Sequence, residues 1–374
     1  MASTLKVDTI TTPDGTGNIT FSRPIVGNLT AQKNLIINGD FDIWQRGTSF
    51  AAAANATFTA DRWKYIKTGT MVHTISRSTD VPTVAESGHL SNYSLLADCT
   101  TVDSSADATD RCGMRYNMEG YDFKQVAQQE LTISFWHKHT KTGEYSVGVK
   151  NSGADRSYVG SYTQTATDTW EKATVTVTAS PSAGTWDYTN GVGAYIQFSM
   201  IVGANYAGVD GTWESANDDA TSGQVNACDN AANNFMLSQV QLEAGSVATD
   251  FEIRDYATEL TMCQRYYQKS YSIDVAPATS NTAGFVWWDE GVPGNYSADH
   301  TMLMPIRYPI KMRTSPSVTL YTSGGTSGSC NMIAGEVSGT VVYGGETGFT
   351  LQASNGAVSV QRQLGCHYTA SAEL

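Results

Sequence analysis

Short runs in which apolar and polar residues alternate dominate the sequence between residues 31 and 255. Alternation with a period of two indicates strands that bury one face, and no helical pattern intervenes between these runs. Turn-forming stretches such as Asn151-Ser152-Gly153 separate the runs at regular spacing. The pattern therefore predicts a two-sheet antiparallel sandwich over residues 31–255. The clearest runs contain Leu131, Ile133 and Phe135; Tyr145, Val147 and Val149; Ala173, Val175 and Val177; and Ile196, Phe198 and Met200.

One stretch of this region, residues 203–231, is rich in Gly, Asn, Asp, Ser and Ala and has few apolar residues. This composition is too polar for a core strand and predicts a long exposed loop. The acidic residues of the stretch have small, polar neighbours, so the sequence predicts no burial that would raise a carboxyl pKa. These acidic residues are Asp210, Glu214, Asp218 and Asp219.

The first 30 residues form a segment of their own. Two short alternating runs, at residues 5–9 and 19–21, flank a Pro-Asp-Gly turn. Two short strands cannot form a stable core alone, so they need copies of themselves or another protein to cover their apolar face. Residues 1–30 are therefore predicted to be an N-terminal attachment or oligomerisation segment.

The pattern changes again after residue 255. Asp255 is a good helix N-cap, and Tyr256, Leu260, Cys263 and Tyr267 follow at spacings of three to four residues. This stripe predicts one helix that continues to about residue 269. Strand signals separated by Gly-rich turns follow the helix, so residues 256–374 are predicted to form a second, smaller β domain that this helix opens.

Charge and composition limit the partners of the chain. Its 374 residues include 36 acidic and 23 basic ones, and the net charge of −13 argues against nucleic acid as a partner. The N-terminus lacks the apolar core of a signal peptide, and no stretch reaches the roughly 18 apolar residues of a membrane span. We therefore expect a protein that is made and assembled in a cytoplasm and does not insert into a membrane.

The six cysteines form no CxxC pair, so the sequence does not predict a zinc site. Free, buried thiols are expected, and a Cys99–Cys112 disulfide remains as an alternative that a reducing compartment would disfavour.

Several stretches resemble tail-fibre and appendage proteins of bacteriophages. The resemblance follows the order of the chain and covers most of it. The matching stretches are LKVDTITTPDGTGNITF at residues 5–21, NLIINGDFDIWQRG at 34–47, ADRW at 60–63, QVQLEAG at 239–245, FEIR at 251–254, ELTMCQRYYQKS at 259–270 and HYTASAEL at 367–374.

The resemblance implies an all-β fold: an antiparallel jelly-roll sandwich similar to a carbohydrate-binding module, a second smaller C-terminal β domain opened by one helix, and a short N-terminal β attachment segment. It also implies a homotrimeric virion structural protein, a tail-fibre or appendage subunit that contributes to attachment to host-surface glycans. Residues 1–30 would bind other tail or capsid proteins of the virion, after assembly in the host bacterial cytoplasm. The alternatives are a purely structural capsid or tail decoration protein and a glycan-degrading tailspike.

Aromatic side chains are the candidate glycan ligands, because sugar rings stack on the faces of Trp and Tyr. In its strand, Trp136 lies on the face opposite to that of Leu131, Ile133 and Phe135, and it is therefore expected to point outward. Trp186, Tyr188 and Trp213 lie in turn-rich stretches and are the other candidates. The competing interpretation is that these rings contribute only apolar area to the core.

Four carboxylates are candidate metal ligands. Related jelly rolls hold a structural Ca²⁺ where their first and last strands meet, and hard oxygen donors suit that ion. Asp40 and Asp42 lie near the start of the sandwich, and Asp250 and Glu252 lie near its closing strand. The alternative is that Asp40 caps the Asn38-Gly39 turn and the others are solvated. No other cofactor is predicted.

His137 and His139 share one face of a predicted strand, but two histidines alone make an incomplete metal site. We interpret the pair as the place where the face of Leu131, Ile133 and Phe135 meets solvent. The sequence contains no GxSxG, HExxH or P-loop motif, and no long repeat typical of a β-helix depolymerase. A non-enzymatic protein is therefore expected.

Overall fold

The computed structural model describes residues 33–289, 300–332, 335–355 and 363–374. The predicted attachment segment, residues 1–30, lies outside the described residues. The described part from Asn34 to Leu374 belongs to one compact unit.

Its helices are α1 (Val84–Ser87), α2 (Gly120–Phe123), α3 (Tyr256–Gln264) and a 3₁₀ turn (Ala204–Tyr206). Its strands, in chain order, are β1 (Ser49–Phe50), β2 (Thr57–Phe58), β3 (Trp63–Thr68), β4 (Val72–Ser78), β5 (Ser94–Thr101), β6 (Arg111–Glu119), β7 (Leu131–His139), β8 (Gly143–Asn151), β9 (Ser157–Gln164), β10 (Glu171–Val177), β11 (Val192–Val202), β12 (Ala207–Gly208), β13 (Trp213–Glu214), β14 (Ala220–Thr221), β15 (Asn234–Ala244), β16 (Tyr267–Lys269), β17 (Val286–Asp289), β18 (His300–Arg307), β19 (Ser317–Tyr321), β20 (Ser329–Met332), β21 (Gly335–Gly345), β22 (Gly348–Asn355) and β23 (Gln363–Ser371).

Two antiparallel sheets form a jelly-roll sandwich, which confirms the predicted all-β fold class. The strand order is β1-β4-β5-β15-β7-β10 in one sheet and β13-β9-β8-β11-β6-β3-β2 in the other. The alternating residues that predicted the strands lie between the sheets, where Phe135 of β7 meets Phe198 of β11 edge to face at 4.9 Å. Burial of this shared apolar face is the main force that holds the sheets together.

The first described segment of the sandwich runs along its last strand. Leu35 N donates to Leu242 O, and Val240 N donates to Gly39 O, each at 2.8 Å. A Cβ atom at Gly39 would lie 2.1 Å from Val240 O, so only glycine permits this approach. The start and the end of the sandwich therefore meet, as the resemblance implies.

The C-terminal strands form a further antiparallel sheet in the order β16-β23-β20-β21-β22-β18, and β17 and β19 also pair with β23. This sheet buries its own apolar cluster, which includes Met304, Leu351 and Leu364. Cys263 and Tyr266, at the end of α3, belong instead to the core of the sandwich. The sheet is thus joined to the sandwich through α3, and the predicted division at residue 255 stays a prediction.

Helix α3 is shorter than the sequence predicts. Asp255 caps it as expected, since its side chain accepts a hydrogen bond from Thr258 N at 3.0 Å. The helix ends at Gln264, however, and Tyr267–Lys269 forms strand β16, which pairs with β23. Tyr267 is therefore buried in a strand rather than at the end of a helical stripe, so the predicted extension to residue 269 is wrong.

Part of the stretch at residues 203–231 is buried, which corrects in part the prediction of a long exposed loop. It folds back on the outer face of the seven-stranded sheet and buries Asp218, Asp219, Ala220 and Thr221. Asp219 lies 2.5 Å from Lys150 Nζ and 3.2 Å from Arg111 Nη1 in two strands of that sheet. Asp219 therefore pairs with cations of the sheet, whereas other polar residues of the stretch, such as Asp210, are exposed to solvent. We call residues 203–231 the covering segment.

All six cysteines are free and buried, as expected. Among the described residues, no helix has the length and apolar character that would let it cross a bilayer.

Candidate functional site

Three of the four predicted glycan-binding aromatics lie together at one end of the sandwich. Trp186 and Tyr188 both stack on Phe123 of α2. The ring centroid of Trp186 lies 5.1 Å from that of Phe123, and the centroid of Tyr188 lies 6.3 Å from it. Trp213 of β13 lies 5.9 Å from Trp186 and 5.6 Å from Tyr158 of β9. Residues from four separate parts of the chain therefore form one group, which we call the aromatic platform (Phe123, Tyr158, Trp186, Tyr188 and Trp213).

The platform is half-buried, with its inner side on the sandwich core. Trp186, Tyr188 and Trp213 each keep part of the ring accessible and pack against the core with the rest. The indole N–H of Trp186 donates to Ala183 O at 3.0 Å, and that of Trp213 donates to Thr178 O at 2.9 Å. These bonds fix the rings, so that a ligand would meet fixed apolar faces rather than mobile side chains.

Charged groups line the edge of the platform. Asp155 accepts hydrogen bonds from the backbone and hydroxyl of Thr185, at 3.0 and 2.9 Å, beside Trp186. Bonds from Asn151 and Thr185 lower the pKa of Asp155 to about 2, so it is ionised at neutral pH. Asp187, between Trp186 and Tyr188, accepts from Thr189 N at 2.6 Å. An apolar surface beside oriented carboxylates suits a ligand that has both C–H faces and hydroxyl groups, such as a sugar.

Trp136 does not join the platform, and the structure places it away from solvent. Its side chain is only 8% exposed. The outer face of β7 is covered by residues from distant segments, because Ser87, Gln239 and Phe251 lie beside Trp136 around a small cavity. The alternation along β7 does place Trp136 opposite Phe135, but both faces of this strand are buried. The ring therefore offers little surface to a ligand.

Three of the four predicted calcium ligands meet in a cleft where the start and end of the sandwich come together. The cleft has a volume of about 220 Å³, and Asp40, Asp42 and Glu252 line it. Glu259 of α3 is a fourth acidic residue there, which the sequence analysis did not include. Asp250 does not line this cleft.

Protein groups already bind these carboxylates. His89 Nε2 lies 2.8 Å from Asp40 Oδ2, and Ser91 Oγ donates to Asp40 Oδ1 at 2.6 Å. Asn34 N donates to Glu252 at 2.7 Å, and Arg254 forms ion pairs with it and with Glu259. Calcium needs six or more oxygens, and here the His89 imidazole and the Arg254 guanidinium group take much of that capacity. The donor set therefore does not fit a calcium ion well, and calcium binding at this cleft stays a prediction.

The surroundings in the cleft shift the pKa of two of its side chains. Burial and the neighbouring Asp40 carboxylate raise the pKa of Asp42. The hydrogen bond to Asp40 raises the pKa of His89. The cleft is thus a network of mutually neutralising side chains that ties the first segment of the sandwich to α3.

His137 and His139 are buried, which corrects their interpretation as the edge of a face that meets solvent. They are 1% and 0% exposed, and their ring centroids lie 5.1 Å apart. His137 Nδ1 is 2.8 Å from Gln164 Oε1, and His139 Nε2 is 3.1 Å from Tyr162 Oη. Both imidazoles are therefore polar members of the core with uncharged partners.

This burial predicts a loss of stability in mild acid. Desolvation lowers the pKa of His137 from 6.5 to about 4 in the folded protein, whereas the unfolded chain binds the proton near the ordinary value. Stability therefore falls as the pH drops from about 6.5 to about 4, and we expect about 3 kcal/mol from His137 alone. Urea unfolding at several pH values should show a shallower fall for His137→Gln than for the wild type.

The matched control for that experiment is His89→Gln, because the pKa of His89 is raised and its contribution has the opposite sign. An H137Q profile as steep as the wild-type profile would contradict the assignment to His137.

Within the covering segment, the predicted exposure of the acidic residues is wrong for Asp218 and Asp219, which are 5% and 0% exposed. Burial and the nearby Glu214 raise the pKa of Asp218, although Ser157 Oγ donates to it at 2.9 Å. Asp210 accepts from Ser161 N at 2.8 Å near the surface. The sequence did not reveal this burial because the cations that compensate it lie far away along the chain.

Comparisons with known proteins find similar structures for about half of the chain. No protein-family model and no curated protein matches the sequence. The enzymatically active domain of tailspike protein 4 of bacteriophage CBA120 aligns with 52% of this chain at 13% identity and a TM-score of 0.28. The aligned part is 21% of that tailspike chain, so this chain spans about a fifth of its length.

Two carbohydrate-binding modules of Clostridium thermocellum align over the same share of the chain. The family 11 module in complex with a β-1,3-1,4-mixed-linked tetrasaccharide is 10% identical, with a TM-score of 0.28, and the alignment covers 54% of this chain and 99% of the module. The C-terminal family 22 module of Xyn10B is 11% identical, with a TM-score of 0.30, and the alignment covers 54% of this chain and 98% of the module.

Proposed function

We propose that this chain is a virion structural protein, a tail-fibre or appendage subunit that contributes to attachment to glycans on the host surface. The observation that carries the glycan part is the aromatic platform, in which Trp186, Tyr188 and Trp213 present fixed ring faces beside ionised carboxylates. The virion part is supported by the resemblance of residues 5–21, 34–47 and 259–270 to phage appendage proteins.

The chemistry of the platform favours binding over catalysis. A glycosidase needs two carboxyl groups that face one bond, and the acidic residues at the platform edge, Asp155 and Asp187, instead accept hydrogen bonds from Thr185 and Thr189. Hydrogen bonds lower the pKa of both carboxyl groups, which is opposite to the shift that a general acid requires. These features support the proposal of a subunit that binds glycans without cleaving them.

The glycan proposal predicts the effect of removing one ring. Trp186→Ala and Tyr188→Ala should each weaken binding of a host-surface glycan by about tenfold or more, because each deletes a stacking face worth at least about 1.4 kcal/mol. Glycan-array screening of the full chain would identify the ligand, and calorimetric titration would measure the change. Circular dichroism would show that both variants remain folded.

The matched control is Trp287→Ala, which removes an equally large ring that is 46% exposed on β17, outside the platform. It should bind as the wild type does. Loss of binding in W287A and not in W186A would place the site on the C-terminal sheet, and no binding to any array would favour a decoration protein. Release of reducing sugar from host polysaccharide would favour the tailspike alternative.

The proposed assembly is a homotrimer whose residues 1–30 bind other tail or capsid proteins. A trimer would present three platforms, so weak individual sites could still hold a virion to a cell. Light scattering of the full chain should give the mass of a trimer, and a variant lacking residues 1–30 should give the mass of a monomer. A monomeric full chain would contradict self-assembly and leave that segment to fold on a virion partner.

A further inference from the structure

A second group of reactive side chains lies in the core of the sandwich, away from the aromatic platform. His73 of β4, Cys112 of β6 and Cys228 of the covering segment place one nitrogen and two sulfur atoms within 4.8 Å of one another. The three residues are at most 1% exposed. They come from both sheets and the covering segment. The cysteines are far apart in the sequence, so no cysteine motif indicates this group.

The distances around His73 are close to those of a metal site. His73 Nε2 lies 3.7 Å from Cys228 Sγ, and His73 Nδ1 lies 3.8 Å from Cys112 Sγ. In a tetrahedral zinc site with Zn–S bonds of about 2.3 Å and Zn–N bonds of about 2.0 Å, neighbouring nitrogen and sulfur ligands are about 3.6 Å apart. Only one ring nitrogen can bind a given ion, and the two sulfur atoms are closest to different nitrogens. All three ligand atoms nevertheless lie within 4.8 Å of one another, so an ion on Nε2 requires Cys112 Sγ to move toward that nitrogen.

A third thiol lies beside these three donors, although it is not one of the atoms that lie within 4.8 Å of one another. Cys99 of β5 is paired directly opposite His73 in the six-stranded sheet. It is 1% exposed, and its sulfur lies 3.9 Å from Cys228 O. The Cys99 sulfur contacts the carbonyl oxygens of Thr101 and Cys228, so its side chain would have to turn toward the ion. It would then complete the Cys₃His set that closed structural zinc sites use.

Tyr65 provides the outer support that such a site needs. Its hydroxyl lies 2.7 Å from His73 Nδ1 and 3.3 Å from Cys112 Sγ. An Nδ1–H group that donates to Tyr65 leaves the Nε2 lone pair directed at Cys228, and metal-binding histidines are commonly held in this way. The ordinary interpretation, three thiols that merely fill apolar space, does not account for an imidazole placed among them.

We infer that His73, Cys99, Cys112 and Cys228 form a structural site for a soft metal ion, with Zn²⁺ as the ion that this donor set fits. The ion would hold the two sheets and the covering segment together inside the sandwich. With four protein ligands and no access to solvent, the site has no open position for a substrate, so its role is stability rather than catalysis.

The test begins with the full chain purified without a metal-affinity step from cells grown with zinc. Elemental analysis by mass spectrometry should find about one zinc ion per chain. Cys112→Ser and Cys228→Ser should each lose most of it. Cys330→Ser changes a buried cysteine of the C-terminal sheet and should keep the full amount.

Two further measurements keep the inference testable if those variants fail to fold. Wild-type protein reconstituted with Co²⁺ should show thiolate-to-cobalt charge-transfer absorption and the intense bands of a tetrahedral ion. Tyr65→Phe should weaken the affinity for Zn²⁺ by about 10- to 100-fold. Wild-type protein with neither bound zinc nor these cobalt bands, a Cys112–Cys228 disulfide in intact-mass data, or full zinc retention in folded C112S and C228S would each overturn the proposal.

Discussion

Replacing Arg62 by alanine is expected to lower the free energy of unfolding by about 3 kcal/mol, because it breaks a buried ion pair. The partner carboxylate of Glu373 would then keep its ion pair with Arg46, at 3.0 Å, but lose the one with the fully buried guanidinium group. Arg62 is fully buried and forms an ion pair with Glu373. Its guanidinium group lies 3.5 Å from the ring centroid of Tyr266 and donates to Asn117 O at 2.6 Å. Burial alone would lower the pKa of Arg62, but the ion pair with Glu373 raises it above its usual value.

Equilibrium denaturation monitored by tryptophan fluorescence would measure this loss. The matched control is Arg77→Ala, since Arg77 also lies over an aromatic ring, 4.1 Å from the centroid of Tyr93, but is only partly buried. Its removal should cost no more than about 1 kcal/mol. If R62A loses no more stability than R77A, the ion pair between Arg62 and Glu373 contributes little to the stability of the fold.

The second large effect is expected at the covering segment. Asp219→Asn should destabilise the protein by about 3–5 kcal/mol, because it removes a carboxylate that faces three buried or half-buried cations. Asp219 lies 2.5 Å from Lys150, 3.2 Å from Arg111 and 3.6 Å from Arg115. These cations lower the pKa of Asp219 although burial, the largest influence, opposes them.

Hydrogen exchange would separate a local effect from a global one. In D219N the amides of the covering segment should exchange faster than in the wild type, while those of β7 and β11 change less. Asp229→Asn is the control, because Asp229 belongs to the same segment but forms a surface pair with Lys141. Equal exchange in D219N and the wild type would mean that apolar contacts, and not this ion cluster, hold the segment.

The strands and the class of fold follow from the sequence because alternation reports burial directly. The length of α3 does not, since its stripe from Tyr256 to Cys263 fits a helix through Tyr267 equally well. Only the pairing of Tyr267–Lys269 with β23, about a hundred residues away, selects the strand. A local pattern cannot reveal a partner at that separation.

For the candidate sites too, local sequence patterns predicted some features and could not predict those that depend on distant residues. Trp186, Tyr188 and Trp213 were selected for their turn-rich surroundings, and the fold brings them together. Trp136 was expected to point outward because the sequence cannot show that Phe251 comes back to cover it. The sequence did not indicate the group of His73, Cys99, Cys112 and Cys228 for a related reason, because these residues come from four separate parts of the chain.

The position of β23 has a consequence for synthesis on the ribosome. This strand pairs with β16, β17, β19 and β20, yet it is the last strand of the described chain. The sandwich can close once Tyr266 has emerged, about a hundred residues before β23, and domains generally fold in the order of their synthesis. Until β23 arrives, the C-terminal strands present open edges to other nascent chains on the same messenger RNA. Translation speed over residues 245–371 should therefore influence how much protein is recovered in soluble form.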